Sequence, residues 1–134
     1  MPRKGEQGFT LIEILVVLLI IIVLASIAIP LFINQRGKAH DAQAKSTARV
    51  ATGAIEVYHQ DHNTYAGADA DALVAIEPSL REANGLDVDA EDAGFTITVE
   101  SKSGGPFSVE RAGATTRRNC GAAGKGGCPQ SGHW

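Results

Sequence analysis

The chain has 134 residues, 44% of them apolar and 20% charged, with a formal net charge of −3. That length suits one domain with an appendage and excludes a two-domain cofactor enzyme, and an aromatic content of 5% argues against a large catalytic core. The charge is segregated: residues 34–55 are net basic, residues 56–100 hold eleven acids against Arg81 alone, and residues 101–134 are net basic again, so the acidic middle can attract the basic tail or a neighbouring copy.

Residues 1–8 (MPRKGEQG) are short, polar and basic. From Phe9 to Ile33 nearly every residue is aliphatic, and the only polar interruptions are Thr10, Glu13 and Ser26. The charge-free run from Ile14 to Ile33 is twenty residues. As a helix it rises about 30 Å, the thickness of a bilayer core. Pro30, near its far end, removes a backbone donor and predicts a kink. Beyond Ile33 the helix continues with a new pattern. Ala44, Ala48, Ala51, Ile55 and Tyr58 are spaced 4, 3, 4 and 3 apart, one face of an amphipathic helix. Asn63 is the expected stop, since Asn tolerates the left-handed conformation.

Residues 63–93 read as turn-rich and acidic, with a short helix over Ala70–Ile76, capped by Asp69 and ended by Pro78. Phe95, Ile97 and Val99 alternate with polar residues, as do Phe107 and Val109, which predicts two strands joined by a turn at Ser103-Gly104-Gly105-Pro106. A weaker third strand is expected from Ala114 to Arg118, followed by a Gly-rich loop from Cys120 to Trp134. Cys120 and Cys128, an even pair in a small core-poor chain, read as a disulfide and imply an oxidising compartment; two unpaired thiols are the alternative.

Glu13 poses the sharpest question. A carboxylate within an apolar membrane helix costs about 2.5–3.5 kcal/mol on insertion scales, and such residues persist when they have a partner or a function. No cation lies within one turn. If the chain were cut after Gly8, Phe9 would carry a new ammonium. In a bundle of identical helices, Glu13 of one chain could then neutralise the amine of the next. A helix at the wrong depth would leave two charges unmatched, so the pair would control register.

Gly8-Phe9-Thr10-Leu11-Ile12-Glu13 and the apolar run that follows resemble the leader and N-terminal helix of type IV pilins and type II secretion pseudopilins. The resemblance covers roughly residues 1–60. It implies an α+β fold, with a long N-terminal helix, half hydrophobic and half amphipathic, packed on a small antiparallel sheet. It divides the chain into a leader (1–8), a membrane or fibre-core helix (9–33) and an outer globular domain (34–134). It implies that a prepilin peptidase cuts between Gly8 and Phe9 and methylates the Phe9 amine, that Glu13 and Pro30 serve assembly, and that an ATPase and a membrane platform drive extrusion. The expected product is a homo-oligomeric helical filament, at the cell surface or in the periplasm, from a single-pass precursor in the cytoplasmic membrane. A secretion pseudopilin or a minor pilin for DNA uptake is the alternative within the family. Outside it stands a secreted or anchored binding module, cleaved near Ser26 and Ala28 as a signal peptide would be.

Weaker signals lie elsewhere. His59 and His62 are spaced like metal ligands, but two are too few for a closed site, and a solvated helix end is favoured. Asp87, Asp89 and Glu91 alternate as carboxylates do in calcium loops, yet Asp92 and Thr98 break that pattern, and an acidic loop is favoured over a calcium site. Arg111, Arg117, Arg118 and Lys125 could touch DNA phosphates; contact with the acidic middle segment is favoured. No nucleophile–base constellation or phosphate-binding loop is present in the sequence, so no catalytic residue and no cofactor is expected.

Overall fold

A computed structural model describes residues 8–134. Seven of the eight expected leader residues lie outside the described residues. Helix α1 (Leu11–His62) contains Pro30 and continues past it. The chain divides into two units, Met1–Asn34 and Gln35–Trp134.

Among the described residues, the apolar half of α1 in the first unit buries no side chain. Leu19, Ile22 and Ile29 are each more than half exposed. The polar hydroxyl in this stretch is satisfied locally, since Ser26 Oγ donates to the Val23 carbonyl at 2.6 Å.

In the second unit the rest of α1 buries Ala44, Ala48, Ala51, Ala54 and Ile55. The small alanines form the face expected from their spacing, and Tyr58 packs at its margin. The helix ends where Asn63 takes φ 58° and its N–H bonds the His59 carbonyl at 2.7 Å. Helix α2 (Ala70–Ile76) is capped by Asp69, whose Oδ1 accepts from the Ala72 N–H at 2.8 Å. Pro78 does more than end it. It opens a 3-10 turn, Pro78–Glu82, that buries Leu80.

Four antiparallel strands follow in sequential order: β1 (Asp87–Ala90), β2 (Gly94–Glu100), β3 (Pro106–Ala112) and β4 (Thr115–Cys120). Phe95, Ile97, Val99, Phe107 and Val109 share one core with the α1 alanines, Leu73 and Tyr65. Two expectations need correction. The acidic loop holding Asp87 and Asp89 is strand β1. An edge strand needs only one apolar face, and Val88 and Ala90, opposite Ile97 and Phe95, supply it while the two aspartates stay exposed. The third expected strand is β4, and it runs on to Cys120, which stands opposite Phe107.

Candidate processing and assembly surface

Gly8, Phe9 and Thr10 are exposed and non-helical, and α1 begins at Leu11. Nothing lies within 4 Å of a Cβ placed on Gly8, so the described fold does not itself demand glycine there. Thr10 and Glu13 close a reciprocal cap. The Glu13 N–H donates to Thr10 Oγ1 at 3.2 Å, and the Thr10 N–H donates to Glu13 Oε2 at 2.7 Å. This is a capping box, and its T-x-x-E signature was readable in the sequence. Glu13 therefore has hydrogen-bond partners within its own turn, neither of them a cation. Its Oε2 also accepts the Thr10 hydroxyl at 3.1 Å, whereas its Oε1 accepts no hydrogen bond among the described residues.

Cys120 and Cys128 form a disulfide. The loop it closes is seated on a group the sequence reading missed. Asp41, 4% exposed, accepts the Gly127 N–H at 2.8 Å on Oδ2 and the Ser103 hydroxyl on Oδ1. One helical carboxylate thus ties down both the β2–β3 turn and the disulfide loop. Burial works to raise its pKa, but the Ser101 and Ser103 hydroxyls, the Gly127 N–H and Lys45 outweigh burial and hold the carboxyl below its ordinary value. A Cβ on Gly127 would meet Asp41 Cβ at 2.8 Å, so glycine is what lets the loop come this close.

Arg111 pairs with Glu56 at 2.7 Å, and the Tyr65 hydroxyl donates to the same carboxylate at 2.9 Å. Burial and the neighbouring Glu56 charge push the Tyr65 hydroxyl pKa up. Arg111 therefore meets the acidic middle segment, as favoured. The two histidines are taken up by stacking: His62 lies on Tyr58 with ring centroids 4.0 Å apart, and His59 on Tyr65 at 4.3 Å. Among the described residues no three His, Cys, Asp or Glu side chains are grouped to hold a metal. Asp87 and Asp89 sit on the outer face of β1, and Glu91 lies past its end. Arg118 packs against Trp134, an aromatic partner the linear order had hidden.

These features define a class of protein: an exposed apolar helix with a capped start, followed in sequence by a small disulfide-closed α+β domain. The comparisons agree. A family profile, the prokaryotic N-terminal methylation motif, matches residues 3–29. The fimbrial protein EcpC of Eikenella corrodens is 30% identical over 78% of this chain and 69% of its own length. The type IV major pilin protein PilE of Neisseria gonorrhoeae is 28% identical over 73% of this chain and 59% of its own. The type II secretion system core protein G of Aeromonas hydrophila is 34% identical over 48% of this chain and 46% of its own. The chain thus spans about two thirds of EcpC and a smaller share of the other two. No solved structure gives a significant match. The chain belongs to the family of type IV pilins and type II secretion pseudopilins.

Proposed function

We propose that this chain is a structural subunit of a type IV pilus-like filament, made as a membrane precursor and assembled through its N-terminal helix. A prepilin peptidase cuts between Gly8 and Phe9 and methylates the new amine. The non-helical, exposed Gly8–Thr10 segment supports this, because a peptidase needs extended backbone ahead of the helix. The indifference of the described fold to a Cβ at Gly8 supports it as well, placing the need for glycine in whatever reads the leader.

The observation that carries the proposal is the exposure of the whole apolar half of α1. One helix of this length and composition can cross a membrane. Lipid and a bundle of identical helices are both apolar, so burial alone does not choose between them. Packing, charge pairing and ATP-driven extraction through a platform must decide. Glu13 Oε1 is available to the Phe9 amine of a neighbour while Oε2 keeps the cap. Contacts of this head-to-tail kind, with a rotation that does not close, give an open helix of subunits.

The test is the mass of the mature N-terminus. A chain beginning at methylated Phe9 supports the proposal. A chain beginning at Ile29 marks a plain secreted module and overturns it. Similarity to a secretion-system core protein favours a second reading, a pseudopilin. Deletion separates the two, since loss of surface fibres marks a pilin and loss of secretion without fibre loss marks a pseudopilin.

A further inference from the structure

The charge segregation in the sequence becomes spatial in the sheet, whose two edges are β1 and β4. On β1, Asp87 and Asp89 are exposed, and Glu91 and Asp92 extend the acidic rim into the next turn. On β4, Arg117 and Arg118 are exposed. Beside them the Arg49 and Arg118 guanidinium carbons lie 5.5 Å and 5.4 Å from the Trp134 ring centroid. The indole is held by its Nε1–H, which donates to the Asn119 carbonyl at 2.9 Å. Stacking on an aromatic face orders a guanidinium without neutralising it. Arg111, by contrast, is already paired with Glu56. An open cleft of about 510 Å³, lined by Thr116, Arg117, Arg118, His133 and Trp134, marks this basic edge. Glu110 stands opposite Arg117 in register, and no ion pair between them forms.

The chain's last residues cover part of β4, where the Trp134 N–H meets the Arg118 carbonyl and the Cys120 N–H meets the Gly132 carbonyl. Thr115 to Arg117 have no further strand beside them among the described residues. Edge strands are commonly blunted by charge, which keeps copies apart. Here the two edges carry opposite signs. β1 repels β1, β4 repels β4, and only β1 against β4 attracts. That rule selects a head-to-tail contact over a two-fold one.

We propose that the β4 edge, with Arg49 and Arg118 stacked on Trp134 and Arg117 exposed beside them, is the docking surface for the acidic β1 edge, Asp87 and Asp89, of the next copy of this chain. The proposal rests on the filament reading above, and it adds a contact between outer domains that sets which neighbour is accepted.

The test uses the full chain in its own assembly system. Arg117→Glu with Arg118→Glu reverses the strand charges of β4, and Asp87→Lys with Asp89→Lys reverses those of β1, so that in each variant the two strands carry the same sign. Alone, each is expected to lower fibre yield about tenfold, as like charges come to face each other across the contact, with processed, oxidised chain undiminished in the membrane. Expressed together, the two variants restore fibres, and that restoration also shows that both fold. Where Arg118→Glu disturbs Trp134, Arg117→Glu alone repeats the test at an exposed position. Normal fibres from either variant alone, or no gain on co-expression, overturn the proposal. Fibres that form normally but no longer retain DNA also overturn it and assign the basic edge to DNA. Failure of the wild-type chain to be cut after Gly8 strikes the filament reading instead.

Discussion

The two halves of α1 are both helical, yet they solve opposite problems. Between Gln35 and His62 the helix buries alanines and Ile55 against its own domain, and Asp41 is matched inside the same unit by Ser103 and Gly127. Between Leu11 and Ile33 the side chains are larger, more apolar and exposed. A contiguous exposed apolar surface of that extent belongs to a membrane or a partner. The difference teaches that the second half encodes a fold, whereas the first encodes an association and is incomplete in one copy.

A charge in the apolar half should break this division most severely. Ile22→Asp puts a carboxylate in the charge-free run at about 2.5–3.5 kcal/mol on insertion scales. Fibres should be lost, while limited proteolysis still yields the outer domain intact. In the other half, Asp41→Ala should lower domain stability by about 2–3 kcal/mol, since hydrogen bonds to a buried charged group are removed; denaturant unfolding measures it. The same carboxylate gives a pH dependence. Its folded pKa is depressed, so its contribution is full above the unfolded value of 3.8 and is lost as pH falls through the lower folded value. Thermal melts of wild type should therefore drop below about pH 4 more than those of Asp41→Ala. Cys120→Ser opens a loop of sequence separation 8 and should cost about 2–3 kcal/mol in the chain-entropy model, read as a lower melting temperature. The smallest effect is expected from Tyr65→Phe, about 1 kcal/mol in the same unfolding assay, because Arg111 still pairs with Glu56.

Legibility in the sequence followed the range of the interactions. The alanine face of α1, the Asn63 stop, the Asp69 cap and the alternation of β2 and β3 depend on residues a few positions apart, and each was readable. Strand β1 was not, because two exposed aspartates in four residues resemble a loop until Phe95 and Ile97 are seen beside them. Asp41 was invisible as a clasp, since its partners lie 62 and 86 residues away. The stacking of Arg49 and Arg118 on Trp134 was hidden in the same way. The Thr10–Glu13 cap is the instructive miss. Its signal is local, a Thr three residues before a Glu, but the desolvation cost of a carboxylate in an apolar run masks the hydrogen bonds that a capping carboxylate accepts.

That cap makes one comparison decisive. Glu13 closes the start of the helix, and the role proposed for it between subunits is to neutralise a neighbour's amine. Gln at the same position can still close a capping box but carries no charge. Fibre yield from Glu13→Gln, with the amount of correctly cut chain measured alongside, separates the roles. Normal cutting with fibres lost is the predicted result; normal fibres would show that capping suffices and that no charge pair sets the register.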